Sequence, residues 1–157
     1  MADNRGQRHN TGQGGRAPEY RPQPPVLDTS TVTFAPINAE LFCQTAKNMA
    51  QAVADADRNR NKSTQLRRFY DELVLWETRV SQAPKEHQAD KFNECLPFIR
   101  MINAKAAYAE GRKLVDSTFV GLLHHTLAQV TDAKALGTCK LFWEAFMGFY
   151  KQLRGDN

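Results

Sequence analysis

The densest chemistry in the chain is the run from Arg58 to Arg68, RNRNKSTQLRR, in which five of eleven residues are basic and none is acidic. A helix start falls inside it, with Ser63 or Thr64 as the capping residue, so the cations lead directly into an amphipathic segment. Such an arrangement suits a polyanion better than a small-molecule pocket. The plainer reading is a solvated loop, which is what most charge runs are. Arg67 and Arg68 each have an acid four residues on, Asp71 and Glu72, and intrahelical pairs of that kind contribute about 0.2–0.5 kcal/mol each while cancelling part of the field. Arg58, Arg60 and Lys62 have no such partner and are the freer phosphate candidates.

A second constellation lies further along. At about 100 degrees per residue, Met101, Ala104, Lys105, Tyr108 and Arg112 share an arc opposite the main apolar arc of Phe92, Cys95, Leu96, Ile99, Ile102 and Ala106. An aromatic ring between two cations at helical spacing can stack on a base while the cations meet phosphate. The competing reading places this helix centrally, buries both arcs and leaves Lys105 and Arg112 to snorkel.

Catalysis finds no support. The adjacent His124 and His125 point about 100 degrees apart on a helix and are poorly placed to share an ion, so one polar and one half-buried histidine is the expected outcome. Carboxylates are scattered, Ser and Thr residues lack a base in any recognisable motif, and the GQGG at 12–15 has neither a preceding strand nor a following helix. Cys43, Cys95 and Cys139 are widely spaced and odd in number, which argues against a disulfide framework or a CxxC metal site and for reduced thiols in the cytoplasm. No cofactor and no metal is expected.

The elements that must position these residues are helical. Asn38 is the expected cap of a first helix of roughly sixteen residues bearing Leu41, Phe42, Ala46, Met49 and Val53. A second carries Leu66, Phe69, Tyr70, Leu73, Trp76 and Val80 at steps of three and four and stops near Ala83-Pro84. Leu75 falls opposite that stripe, where it is either an ordinary exposed leucine or a contact with a partner. A third helix is expected from Lys85 to Glu110, kinked or divided at Pro97, with Gly111 as terminator. A fourth runs from Asp116 to Val130 with Phe119, Leu122, Leu123 and Leu127 inward. Gly137 separates it from a fifth, Thr138 to Arg154, which stacks Phe142, Phe146, Phe149 and Leu153. No β-alternation competes, so the fold class is all-α, a single-domain bundle of about five helices at residues 36–157.

Residues 1–35 are rich in Gly, Arg, Gln, Asn and Pro and read as a disordered tail. Arg5, Arg8, Arg16 and Arg21 are nearly balanced there by Asp3, Glu19 and Asp28, so a solubilising extension is a better account of them than phosphate contact. The whole chain, 157 residues with a formal charge of +4 and 41% apolar content, fits one domain with a core and permits an anionic partner. No stretch approaches the roughly 20 apolar residues of a membrane span, and no signal-peptide core opens the sequence.

Three segments, KSTQLRRFYDEL at 62–73, LPFIRMINAKAAYAEGRK at 96–113 and FWEAFMGFYKQLRG at 142–155, together resemble the small helical subunit of type III-A CRISPR effector (Csm) complexes. The likeness covers most of residues 37–155. It implies a noncatalytic RNA-binding subunit, present in several copies, that stacks along the guide (CRISPR) RNA and its target RNA beside other subunits of the complex. By position, the resemblance places RNA contacts on Lys62, Gln65, Arg67, Arg68, Arg100, Lys105, Tyr108, Arg112 and Lys113, with Gly111 ending the helix so that Arg112 can turn. Together with Arg58 and Arg60 from the charge run, these are the candidate site residues. A rival from another class is a helical protein-interaction scaffold whose basic face meets an acidic protein and never RNA.

Overall fold

The computed structural model describes residues 25–155, and these contain five α-helices and no strand. A π-helical turn, Leu41–Thr45, opens directly into α1, Ala46–Ala56. Then come α2, Ser63–Ser81; a single 3₁₀ turn, Lys85–His87; α3, Gln88–Gly111; α4, Ser117–Ala128; and α5, Ala133–Arg154. None of these helices is long and apolar enough to cross a membrane. The expected disorder of residues 1–24 lies outside the described residues. The expected tail boundary at residue 35 does not hold, because Val32 and Phe34 are buried in the core. Two buried apolar side chains and the main chain between them tie this polar stretch down: the Phe34 N–H donates to Gln129 Oε1 at 2.9 Å, and Gln129 Nε2 donates to the Val32 carbonyl at 2.8 Å.

The bundle is organised around α5, which packs against α1 on one side and α2 on the other, while α2 pairs with α3 and α3 with α4. Two flanking partners require a wide apolar arc. Leu136, Cys139, Phe142, Trp143, Phe146 and Tyr150 are therefore all buried, whereas Phe149 is only half-buried and Leu153 is exposed, unlike the narrower stripe expected from the sequence. An aromatic ladder runs along this arc, with ring centroids 5.7 Å apart for Phe142 and Trp143, 4.8 Å for Trp143 and Phe146, and 5.4 Å for Phe146 and Tyr150. The one indole nitrogen inside the ladder is satisfied, since Trp143 Nε1 donates to Thr126 Oγ1 at 3.0 Å. Burial also holds the Cys139 thiol protonated, pushing its pKa up to about 12. Cys95 is buried as well, and Cys43 is exposed.

Several helix ends differ from expectation, each for a local reason. Asn38 does not cap α1; its side chain accepts from the Glu40 N–H at 2.9 Å in a local turn, and the helix starts at Leu41. Neither Ser63 nor Thr64 caps α2, whose capping position is Lys62. Pro97 lies inside a continuous α3 and does not divide it. The chain leaves α3 through Lys113 in the left-handed conformation (φ 61°), with Lys113 N–H on the Glu110 carbonyl and Leu114 N–H on the Ala109 carbonyl, a Schellman ending in which Gly111 is merely the last helical residue.

Gly137 does not separate two helices either. It sits inside α5, which Asp132 caps by accepting from the Ala135 N–H at 2.7 Å. An added Cβ at Gly137 meets nothing within 4 Å. Gly137→Ala is therefore expected to raise stability by roughly 0.5–1 kcal/mol, and Asp132→Ala to lower it by about 1 kcal/mol, both read from urea unfolding. A destabilised Gly137→Ala variant contradicts a helix that is continuous through this point.

Candidate nucleic-acid interface

The basic loop between α1 and α2 is positioned by two residues that its composition does not advertise. Asn61 is fully buried in the left-handed region (φ 56°), a conformation asparagine tolerates better than most residues. Its main-chain N–H donates to the Leu114 carbonyl at 3.0 Å, and its side-chain oxygen accepts from the Asp116 N–H at 2.9 Å. Its amide nitrogen donates to the Val53 carbonyl at 3.4 Å, and its own carbonyl accepts from the Tyr150 hydroxyl. Arg154, at the end of α5, supplies the second anchor. Its guanidinium donates to the carbonyls of Ala54, Asp57, Arg58 and Arg60 at 3.1, 3.2, 2.8 and 3.2 Å. Four carbonyls around one guanidinium turn the loop main chain inward and leave Arg58 at the surface.

These anchors bring two of the sequence segments to one end of the bundle. Asn61 binds Leu114, so the loop sits beside the α3 exit that carries Arg112 and Lys113. Among the described residues, the side chains of Arg58, Lys62, Arg68 and Lys113 are exposed and make no ion pair. Arg112 is exposed and lies over the Tyr108 ring at 5.7 Å, a ring that is 68% exposed. The outer arc of α3 faces solvent through Met101, Ala104, Lys105, Tyr108 and Arg112, which removes the reading in which α3 buries both arcs.

Other candidates are engaged. Arg60 is half-buried with its Nε 3.3 Å from Asp57 Oδ2, so the expectation that it has no local partner is corrected by an acid three residues earlier. Arg67 stands 3.6 Å from Asp71, an exposed pair of little energetic weight. Arg68 does not take Glu72, which reaches across to Lys105 on α3 at 2.6 Å. Gln65 is half-buried on the first turn of α2. Arg100 lies about 18 Å up α3 from Arg112, and its guanidinium donates to the carbonyls of Leu127 and Val130, closing the end of α4. His125 is half-buried with Nε2 2.8 Å from the Val32 carbonyl, and His124 is exposed, the division expected for the pair. No group of metal-ligating side chains gathers among the described residues.

Fold and surface together define a small all-helical protein with a cationic end held by buried polar anchors. The chain belongs to the Csm2 Type III-A family, which matches residues 37–156, and this makes it a small subunit of a type III-A CRISPR complex. Comparison with curated proteins and with solved structures found no match.

Replacing Arg154 with Met removes the charge-assisted bonds and is expected to cost about 2–3 kcal/mol, with hydrogen exchange at Asn59 and Arg60 accelerating more than the global loss accounts for. Unchanged stability and exchange remove Arg154 from its anchoring role. A second expectation concerns pH. Burial is the main cause that pushes the Tyr150 pKa from 10.0 up to about 12, with Asp116 adding to the rise and Arg154 opposing it. The folded protein keeps a proton that the unfolded chain loses first, so this stabilisation is complete below pH 10 and is lost as pH climbs towards 12. Cys139, raised from 9.0 to about 12, adds to the same decline. The loss of stability across that window should be shallower in Tyr150→Phe than in the wild type; equal slopes by alkaline unfolding exclude this linkage.

Proposed function

We propose that this chain is a noncatalytic RNA-binding subunit that stacks in several copies along the guide RNA paired to its target, holding the strands by sequence-independent contacts to the backbone. The observation that carries this reading is the placement of Arg58 and Lys62, on a loop whose main chain is fixed by Asn61 and Arg154, at the end of the bundle that also carries Arg68 of α2 and Arg112 and Lys113 of the α3 exit. Exposed lysines and arginines without acid partners match a chain of phosphates, and Tyr108 beside Arg112 adds a stacking surface. Lys105, Arg67 and Gln65 flank this end. Arg60 supports it through its pair with Asp57, whereas Arg100 lies away from this end and closes α4.

Contacts with other subunits fall on a different part of the surface. Phe98, on whose ring Trp76 stacks at 5.2 Å, and Met101 one turn on are exposed along α3, and Leu75 is exposed on α2; their apolar character suits protein–protein burial. Copies joined in this way gain affinity by avidity, so the isolated chain binds RNA weakly and the assembled complex firmly. We place the protein in the cytoplasm, where the guide and target are found.

Charge reversal at Arg58, Lys62 and Arg68 tests the reading. RNA crosslinking should be lost with assembly intact, and the slope of log K against log salt should become shallower by about 2.7, at roughly 0.9 for each duplex phosphate contact removed. Loss of assembly with RNA crosslinking retained favours instead a basic face that meets protein.

A further inference from the structure

Beside the cationic end, an open groove of about 440 Å³ runs between the first two turns of α2 and the last three of α5. The helices are antiparallel here, because Ser63 Oγ at the start of α2 donates to the Gly155 carbonyl at the end of α5 at 3.1 Å. Ser63, Arg67 and Tyr70 line one wall, and Glu144, Gly148 and Lys151 the other, each set at steps of four and three residues and so on one helix face. The volume falls in the roughly 300–1,000 Å³ range of small-ligand sites. Gly148 faces this open space, where an added Cβ meets nothing within 4 Å. Nothing in the packing of α5 requires a glycine at this position, although glycine in a helix interior costs about 1 kcal/mol relative to alanine.

The groove offers three chemistries at once. Arg67 and Lys151 are cationic, and the surface pair of Arg67 with Asp71 is weak enough for a phosphate to displace. The half-buried Tyr70 ring and the Met147 thioether supply a flat, polarizable apolar wall. Glu144 Oε2 lies 3.2 Å from Lys140 and leaves an acidic acceptor at the lip for a base N–H or a ribose hydroxyl. A free inorganic anion uses only the first of these and is repelled by the last. A nucleotide uses all three.

Resting on the RNA reading above, we propose that this groove takes one unpaired nucleotide of an RNA strand, its base against Tyr70 and Met147 and its phosphate at Arg67 and Lys151. The cationic end then grips the backbone on either side, and a base turned out of the duplex is captured between α2 and α5.

Gly148→Leu in the full chain fills the groove with a good helix former, and it should melt no lower than the wild type. Its affinity for oligouridine is expected to fall about tenfold, consistent with the loss of one stacked base, with affinity for fully paired RNA unchanged. A 4-thiouridine oligomer should crosslink to the Tyr70 or Met147 peptide in the wild type and not in the variant. Tyr70→Leu, which keeps bulk and loses the stacking ring, should repeat the loss if Gly148→Leu folds poorly. Wild-type oligouridine affinity in both variants, with binding still abolished by reversal at Arg58, Lys62 and Arg68, overturns the groove and leaves the RNA reading standing. If that reversal has no effect either, the RNA reading falls with it. Undisturbed RNA binding together with failed assembly assigns the groove to a neighbouring subunit and likewise overturns the proposal.

Discussion

A single buried asparagine fixes the geometry on which the cationic end depends. All four hydrogen-bonding groups of Asn61 are engaged, and their partners come from α1, from the connection between α3 and α4, and from α5. A loop with Arg58, Arg60 and Lys62 in five residues repels itself and has no apolar side chain to bury, so nothing intrinsic to it selects one conformation. Asn61 supplies the selection. Its left-handed backbone is stabilised by the bonds it permits, and truncating its amide leaves the Asp116 N–H buried without an acceptor. Arg154 extends the same logic by satisfying its donors on four carbonyls, so that its charge lies against the main chain of the loop.

Order of this kind matters for affinity. A flexible cationic loop loses conformational entropy when it meets a ligand, whereas a loop already held by main-chain bonds meets that cost during folding. The net charge of +4 therefore understates the local field and misplaces it. Arg100, Arg154 and Arg60 are spent on carbonyls and on Asp57, and Lys105 on Glu72. Arg58, Lys62, Arg68, Arg112 and Lys113 remain exposed where the α3 exit and the α2 entrance meet, while Lys47, Arg79, Lys85 and Lys134 are exposed elsewhere on the surface.

Helix period was legible in the sequence, and with it the all-α class and the inward faces of α2, α3 and α4, whereas the period alone left open whether the arc around Tyr108 is exposed. Helix ends were less legible, because several residue types compete for the same position. Asp132 rather than Gly137 defines the start of α5, and Lys113 rather than Gly111 takes the left-handed turn, since a Schellman ending is decided by main-chain bonds that tolerate a non-glycine when both form. Least legible were the anchors. Tyr150 and Arg154 reach Asn61 and the loop across 89 to 100 residues of sequence, and no local pattern announces a side chain whose acceptors are carbonyls. The signal that existed was indirect: an arginine in the last turn of an aromatic helix, and an asparagine just before a helix start. The burial of Val32 and Phe34 was hidden similarly, by a polar neighbourhood around two apolar residues.

The aromatic ladder of α5 gives these separate facts a common cause. Phe34 touches Phe142 at one end with centroids 6.1 Å apart, and the stack continues through Trp143 and Phe146 to Tyr150, whose ring lies within 12° of parallel to Phe146. Rings in close packing resist small displacements, because a change in one must be absorbed by the next. Tyr150 is thus placed by the core, and through its hydroxyl the core places Asn61. One turn further on the same helix, Arg154 places the loop; on its opposite flank Gly148 and Lys151 form one wall of the groove against α2. A substitution deep in the ladder, such as Phe142 to a smaller residue, therefore acts at a distance on the cationic end. It leaves every exposed cation in the sequence and loosens the register that holds them together.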